Sequence, residues 1–300
     1  MPDLQALRGE DIYLQGNRQT ERAQFLNLIG PLMKIAAIQM VSGVGVVANL
    51  AAARKLLEEA AANGVELALL PEYFCLMGAR DTDKLAVQET AGEGPIQDFL
   101  SRSARELGLW LVGGTLPMAT PDPRRARNSS LAYAPSGACV ARYDKIHLFR
   151  FTQGKEEYDE TRVLEPGARP LSFELASRDG HVYSVGMSVC YDLRFPELYR
   201  ALKADVLLVP SAFTYTTGQA HWEVLLRARA IENLAYVVAA AQGGLHENAR
   251  RTWGHSMVVD PWGQVLGQRA EGAGLVTAEI SEAGLRSARS RLPALSHRVL

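Results

Sequence analysis

Residues 34–40 read KIAAIQM and residues 65–70 read VELALL, and the order of these two runs decides the fold class. Both runs are short and apolar, which is typical of buried β-strands. Between them, apolar residues recur at the spacing of one helical face: Leu50, Ala53, Leu57 and Ala60. Gly64 follows where a helix C-terminus favours glycine. Strand, helix and strand in this order predict a β-α-β unit with parallel strands.

The same alternation continues along the chain. Further strands are predicted at residues 109–115, 130–134, 138–143, 182–189, 206–209, 236–241, 256–259, 264–268 and 275–280, and further helices at 95–107, 196–203 and 218–234. Residues 144–181 are charged and punctuated by Gly and Pro, so we expect a long irregular segment there. Regular patterning begins at Met33. We therefore expect one domain over residues 33–300 and an N-terminal extension over 1–32, with Met33 open as an alternative start.

Charge and cysteine content exclude several classes of protein. The 300 residues carry 32 Lys and Arg against 33 Asp and Glu, a net charge of −1, which excludes a nucleic-acid binder that relies on bulk positive charge. No apolar run is long enough for a transmembrane helix. Residues 1–32 do not have the pattern of a signal peptide, because acidic residues interrupt the apolar region that a signal peptide requires. Three scattered cysteines fit neither a disulfide framework nor a zinc site. We expect a cytoplasmic protein without a metal or cofactor.

Three polar residues lie at the ends of predicted strands. Glu72 follows VELALL, Lys145 follows the strand at 138–143, and Cys190 ends the strand at 182–189. Sites in open α/β sheets form at the carboxyl ends of strands, so the three side chains can meet in one pocket. A carboxylate could take the thiol proton, and an ammonium could stabilise an oxyanion. Together they indicate acyl transfer through a thioester.

Each of these residues also has an ordinary structural interpretation. A lone cysteine at a strand end is often a small buried hydrophobe, and a lysine beside Asp144 is often half of a surface ion pair.

A different function is indicated by Gly43-Val-Gly45-Val-Val-Ala48, which fits the G-x-G-x-x-A fingerprint of a dinucleotide-binding oxidoreductase. The acidic residue that should close the second strand is displaced by Pro71, and such a site explains neither Lys145 nor Cys190.

Three sequence blocks resemble the signature motifs of the nitrilase superfamily, the carbon–nitrogen hydrolases. They are Leu69-Leu-Pro-Glu72, Tyr143-Asp-Lys145-Ile-His-Leu-Phe149 and Ser188-Val-Cys190-Tyr-Asp-Leu-Arg-Phe-Pro-Glu197. The resemblance covers residues 34 to 297. It implies a four-layer αββα sandwich of two mixed sheets flanked by helices, and a homodimer or higher homo-oligomer.

The resemblance also implies the role of each catalytic residue. Glu72 would be the general base, Lys145 the oxyanion stabiliser and Cys190 the nucleophile, and the backbone N–H of Tyr191 would complete the oxyanion hole. A second glutamate usually follows the lysine in this superfamily. Glu160 is the candidate, and Glu156 and Glu157 are its rivals.

The blocks around residues 210–213, 220–232 and 254–263 resemble the deaminated-glutathione amidase branch and the neighbouring ω-amidases. This implies hydrolysis of a small carboxylate-bearing amide, with deaminated glutathione and 2-oxoglutaramate as the alternatives. Substrate-binding residues are expected at Arg194, Phe213 and His221. Arg194 could pair with a substrate carboxylate, or it could form a structural salt bridge with Glu197.

Overall fold

The computed structural model describes residues 32–154 and 156–299, so residues 1–31 of the predicted N-terminal extension lie outside the described residues. The helices are α1 (Val46–Ala62), α2 (Pro95–Leu107), α3 (Pro196–Leu202), α4 (Tyr215–Asn233) and α5 (Glu282–Arg291). The strands are β1 (Met33–Gln39), β2 (Leu67–Leu69), β3 (Trp110–Val112), β4 (Leu116–Ala119), β5 (Ala126–Tyr133), β6 (Cys139–Asp144), β7 (Arg150–Gln153), β8 (Glu156–Asp159), β9 (Leu171–Ala176), β10 (Val182–Met187), β11 (Val206–Leu208), β12 (Tyr236–Ala239), β13 (Gly243–Leu245), β14 (Arg251–Trp253), β15 (Ser256–Val259), β16 (Val265–Arg269) and β17 (Gly274–Ile280).

Two large mixed sheets form the body of the protein. The first has the order β17-β1-β2-β3-β5-β4, with β6 also paired to β5, and the second has the order β16-β15-β12-β11-β10-β9. Strands β1, β2 and β3 are parallel, as are β10, β11 and β12. The predicted β-α-β unit is therefore confirmed, and a second set of such units builds the other sheet.

Alternate side chains of the parallel strands point into two different hydrophobic cores, one on each face of the sheet. In β1, Ile35 packs in the core between the sheets, whereas Ile38 packs beneath helices α1 and α2. The second sheet is covered by α3 and α4, whose Leu198 and Trp222 join the first core. The layers run helix, sheet, sheet, helix, which confirms the predicted αββα sandwich. We propose that residues 33–300 form one domain, since β17 pairs along the whole of β1.

The prediction of an irregular segment over residues 144–181 was wrong. A hairpin of β7 and β8 lies there, and β9 adds an antiparallel edge to β10. Phe173 and Leu175 of β9 point into the core, and the residues on either side of them are exposed. Alternation was therefore present in the sequence, but the charged and Gly-containing flanks concealed it.

Helix α4 begins at Tyr215, three residues before the predicted start at Gly218. The glycine does not mark a boundary, because it lies inside the helix against a neighbouring strand. A Cβ at Gly218 would lie 2.3 Å from the Cβ of Trp253. Close packing between α4 and β14 therefore explains this residue. None of the helices in the described part of the chain is long and apolar enough to cross a membrane.

We predict that Gly114→Ala destabilises the protein by at least about 2 kcal/mol. Gly114 has a φ of +48°, and a Cβ there would lie 2.0 Å from the carbonyl oxygen of Pro71. Urea unfolding of the variant measures the loss. Gly45→Ala is the control, because a Cβ at Gly45 meets nothing within 4 Å, and we expect a change within about 1 kcal/mol. Equal stability of the two variants would contradict the prediction.

Candidate active site

Three strand ends bring Glu72, Lys145 and Cys190 together. Glu72 follows β2 and Lys145 follows β6, both in the first sheet, whereas Cys190 follows β10 in the second. Their exposed fractions are 1%, 1% and 7%. The site is therefore built from both sheets and lies where the parallel strands of each sheet end.

The Lys145 ammonium lies between two carboxylates. Its Nζ donates to Oε1 of Glu72 at 2.9 Å and to Oε2 of Glu160 at 2.8 Å. Burial alone would lower the pKa of Lys145, but the charges of Glu160 and Glu72 more than offset it, so the pKa is raised. Lys145 consequently remains charged at neutral pH. It is a buried cation with two partners, rather than half of a surface pair with Asp144, whose carboxylate binds Arg127 and Arg142 instead.

The Glu72 carboxylate has a donor on each oxygen. Its Oε1 also accepts a hydrogen bond from Asn128 Nδ2 at 2.9 Å, and its Oε2 accepts one from the backbone N–H of Ala212 at 2.8 Å. Asn128 belongs to the first sheet and Ala212 lies in the loop after β11. Donors from both sheets thus fix the orientation of this carboxylate.

Cys190 stands at a strained turn between β10 and a short 3₁₀ helix. Its φ of 48° is left-handed, which is costly for a residue other than glycine, and its N–H donates to the carbonyl of Pro210 at 3.0 Å. Burial raises the pKa of Cys190 well above its ordinary value, and the nearby charge of Glu72 acts in the same direction while that of Lys145 opposes it. The sulfur therefore rests as a neutral thiol beside a carboxylate and an ammonium.

Asp192 connects residues on either side of Lys145 to the residue before Cys190. This fully buried carboxylate accepts hydrogen bonds from Tyr143 Oη at 2.7 Å and from the N–H groups of His147 at 3.0 Å and Val189 at 2.8 Å. The ring of His147 also contacts Asp192 through Nδ1 at 2.7 Å and stacks on Phe195. His147 accordingly has a structural position, and Asp192 sets the relative placement of Lys145 and Cys190.

Of the three glutamates considered for the second acidic position, Glu160 lies against Lys145. Its carboxylate also accepts hydrogen bonds from Tyr73 Oη and from the Phe149 N–H, both at 2.7 Å. Burial would raise the pKa of Glu160, but Lys145 and these hydrogen bonds lower it overall. Glu157 instead is exposed and pairs with Arg162, and the side chain of Glu156 lies outside the described residues.

Two polar residues of the site were missed by the sequence analysis. Asn128 lies on β5, whose pairing brings it next to Glu72, and no local pattern indicates this contact. Tyr73 follows Glu72 directly, but its φ of 56° turns it toward Glu160. Its pKa is raised well above the ordinary value by burial and by Glu160, so Tyr73 remains a proton donor.

The residues expected to bind substrate form a separate cluster beside Tyr191. The Arg194 guanidinium lies 5.7 Å from the ring centre of Tyr191 and 5.4 Å from that of Phe213. Its Nη1 is 3.3 Å from Nδ1 of the exposed His221. Among the described residues Arg194 has no carboxylate partner, and in particular no salt bridge to Glu197 was found. This leaves its charge open to an anionic ligand.

The glycine loop at residues 43–45 does not have the arrangement of a phosphate cradle. The N–H of Gly43 donates to Oδ1 of Asn49 at 2.8 Å, and the N–H of Val44 donates to Glu247 at 3.1 Å. A carboxylate thus lies where a dinucleotide fingerprint would hold a pyrophosphate. Elsewhere, the described part of the chain contains no group of three His, Cys, Asp or Glu side chains that could hold a metal ion.

Comparison with known proteins supports the sequence resemblance and the fold. A family model for carbon–nitrogen hydrolases matches residues 34–290. The deaminated glutathione amidase of a Synechocystis strain is 41% identical over 270 residues, which cover 88% of this chain and 97% of that protein. The crystal structure of the Caenorhabditis elegans NitFhit protein has a TM-score of 0.82 at 37% identity and covers 90% of this chain and 66% of that one. Saccharomyces cerevisiae Nit3, described as a member of the nitrilase superfamily, has a TM-score of 0.79 at 28% identity over 91% of this chain and 98% of its own.

We predict that Glu160→Gln destabilises the protein by about 3 kcal/mol, because it removes one partner of a buried ion pair. Since the pKa of Glu160 is lowered by folding, its stabilising contribution is complete above the ordinary pKa and disappears as the pH falls through the folded-state value. The difference between wild type and variant should therefore be largest near neutral pH and should shrink in acid. Denaturant unfolding at several pH values measures it.

Glu157→Gln is the matched control for this prediction. Glu157 is an exposed neighbour of the same residue type, so we expect its change to stay within about 0.5 kcal/mol at every pH. Equal effects of the two variants at neutral pH would show that the pair with Lys145 does not stabilise the fold.

Proposed function

The chain belongs to the carbon–nitrogen hydrolase family and hydrolyses carbon–nitrogen bonds in amides, and from this we propose that it is a cysteine-dependent amidase acting on deaminated glutathione. The reaction would release 2-oxoglutarate and Cys-Gly. The convergence of Glu72, Lys145 and Cys190 in one buried site carries the proposal for the mechanism.

Glu72 begins the reaction by accepting the proton of Cys190 as Sγ attacks the amide carbon. A general base is required here because the resting sulfur is a thiol. The carbonyl π electrons move to oxygen, which produces a tetrahedral oxyanion. The Lys145 ammonium donates its hydrogen bonds to two carboxylates in the resting site. Its positive charge lies in the same site and can stabilise the negative charge that develops on this oxygen. The N–H of Cys190 already donates to the Pro210 carbonyl, and this supports the N–H of Tyr191, which the family resemblance implies, as the backbone donor of the oxyanion hole.

Collapse of the tetrahedral intermediate breaks the carbon–nitrogen bond. Glu72 then gives its proton to the departing amine, and a thioester on Cys190 remains. Water attacks the thioester while Glu72 accepts a water proton, and collapse of the second intermediate releases the carboxylic acid. The sulfur recovers the proton from Glu72. One carboxylate thus serves both half-reactions, and Glu160 acts as a positioning residue that holds Lys145 in place.

Arg194 supports the choice of a carboxylate-bearing substrate. Arg194 follows Cys190 by four residues in the sequence. Its guanidinium lies over the rings of Tyr191 and Phe213 and has no carboxylate partner in the described structure. A planar guanidinium in this state can bind a carboxylate with two parallel hydrogen bonds. We propose that Arg194 binds the 2-oxo acid end of the substrate, with Phe213 and His221 lining its surroundings.

Self-association stays a prediction. Val224 and Ile231 lie seven residues apart on α4 and are 69% and 45% exposed. They form apolar surface on one face of this helix, and an interface between two copies would cover it.

We predict that Cys190→Ala lowers amide turnover by about 10⁴-fold or more while the protein stays folded, because the nucleophile is lost. Cys139→Ser is the control, since Cys139 is exposed, and it should retain most activity. Cys75→Ala should also retain activity, because Cys75 packs among apolar residues and burial raises its pKa to about 12. Release of Cys-Gly from deaminated glutathione is the measurement, with circular dichroism as the check on folding. Full activity in folded Cys190→Ala would overturn the mechanism.

We further predict that Arg194→Leu raises KM about 10- to 100-fold for both deaminated glutathione and 2-oxoglutaramate, because each carries the 2-oxo acid carboxylate. Butyramide lacks that group, so its poor hydrolysis should change little. Steady-state kinetics on the three amides test this. In the wild type, deaminated glutathione should have the highest kcat/KM. A large preference for 2-oxoglutaramate would indicate an ω-amidase instead, and a preference for butyramide would contradict the carboxylate site.

A further inference from the structure

A second arginine, Arg250, lies beside the site and has no role in the mechanism above. Its Nη2 donates to the carbonyl oxygen of Ala212 at 3.2 Å, and its guanidinium lies 5.2 Å from the ring centre of Tyr158. Its Nε is buried and has no hydrogen-bond partner in the described structure. None of the described carboxylates forms an ion pair with it. Arg250 is therefore a partly exposed cation whose described side-chain contacts are a carbonyl, a thioether sulfur and an aromatic ring, with no carboxylate among them.

The contacts of Arg250 place it on the side of the site where Glu72 lies. The Ala212 carbonyl that accepts from Arg250 belongs to the same residue whose N–H donates to Glu72 at 2.8 Å. Arg194, in contrast, rests on Phe213 and Tyr191. The two guanidiniums thus approach the site through adjacent residues of one loop, one next to the base and the other next to the residue that follows the nucleophile.

The backbone around Arg250 is fixed before any ligand binds. The Arg250 N–H donates to Oδ1 of Asn248 at 3.0 Å, and its carbonyl accepts from the N–H of His246 at 2.8 Å. Asn248 in turn donates to the carbonyl of Gly78 at 2.7 Å. With its backbone held by these bonds and its Nη2 held by the Ala212 carbonyl, Arg250 loses less conformational entropy when it binds an anion.

A second cation lies near Arg250. The Lys84 ammonium is 5.2 Å from the ring centre of Tyr73, and its only described ion pair is a loose contact of 3.6 Å with Asp81. Burial lowers the pKa of Lys84 and the charge of Arg250 acts in the same direction, whereas the charges of Asp81, Glu160 and Glu72 oppose this shift. Lys84 and Arg250 therefore add two cationic groups to the side of the site where the Glu72 and Glu160 carboxylates lie.

The proposed substrate has a carboxylate on each side of the amide that is cleaved. One belongs to the 2-oxo acid and the other is the C-terminal carboxylate of the Cys-Gly leaving group. The leaving nitrogen must receive its proton from Glu72, so Cys-Gly has to lie on the Glu72 side. We propose that Arg250 binds the C-terminal carboxylate of the leaving group and thereby selects amides with an anionic leaving group over simple amides. This inference rests on the proposed function.

A merely structural role for Arg250 makes a different prediction. Its charge could balance the excess negative charge of Glu72 and Glu160 over Lys145, or its contact with Ala212 could hold Glu72 in place. Loss of either effect would lower kcat for every amide by a similar factor. Recognition of the leaving group would change KM, and only for substrates that carry the second carboxylate.

The experiment compares wild type, Arg250→Leu and Arg250→Lys on three substrates. These are deaminated glutathione, its analogue with a C-terminal carboxamide, and 2-oxoglutaramate. In the wild type, replacing the carboxylate by the carboxamide should raise KM about 10- to 100-fold. In Arg250→Leu the two glutathione substrates should have similar KM values, and the preference for deaminated glutathione over 2-oxoglutaramate should fall by the same 10- to 100-fold. Arg250→Lys keeps the charge without the planar fork and should give an intermediate preference.

The failures of the two proposals are distinguishable. If wild type does not hydrolyse deaminated glutathione, the proposed function fails, and the inference on Arg250 fails with it. If wild type hydrolyses it but treats the carboxylate and the carboxamide alike, only the inference on Arg250 is overturned. An equal loss of kcat on all three substrates in both variants, with the wild-type preference retained, would likewise overturn it in favour of a structural role. The wild-type comparison needs no variant, so the inference stays testable even if Arg250→Leu does not fold.

Discussion

The buried ammonium of Lys145 is the constraint on which the site depends. An unpaired charge in the interior would be strongly destabilising, so the fold has to bring carboxylates to it. Glu72 and Glu160 do so at 2.9 and 2.8 Å, and each carboxylate is in turn held by donors from another segment. Asn128 and Ala212 orient Glu72, and Tyr73 and Phe149 orient Glu160. The electrostatic need of one cation is therefore met by side-chain and backbone groups from strand β5 and from the segments around Tyr73, Phe149 and Ala212.

Asp192 extends the same logic to the second sheet. Its fully buried carboxylate binds groups from the lysine segment and from the turn that carries Cys190. The sulfur thereby keeps a fixed position relative to Lys145, although the two residues follow strands of different sheets. The left-handed backbone at Cys190 is retained because the surrounding hydrogen bonds outweigh its strain. Packing of the two sheets and geometry of the site are consequently coupled.

Periodicity predicted the parts of the fold that have strong local patterns. The apolar strands β1 and β2 and helices α1 and α2 follow from residue spacing, and Glu72, Lys145 and Cys190 stand out because they are polar residues at strand ends. Strand β9 was missed although Phe173 and Leu175 alternate correctly, since charged and flexible neighbours dominate that stretch. Residues such as Asn128 and Arg250 could not be predicted, because only tertiary pairing brings them to the site. The αββα layering, the second glutamate and the substrate class came from the family resemblance rather than from spacing.

Burial of Cys190 also determines how the sulfur reacts with chemicals other than the substrate. Peroxides and disulfides react with thiolates, and the raised pKa of Cys190 keeps the thiolate fraction very small in the resting protein. Low-pKa cysteines exposed to solvent are quickly oxidised, whereas Cys190 is buried and rests as a thiol. Burial of Cys190 therefore lowers the reactivity that we expect toward oxidants, and under the proposed mechanism the same burial makes a general base at Glu72 necessary.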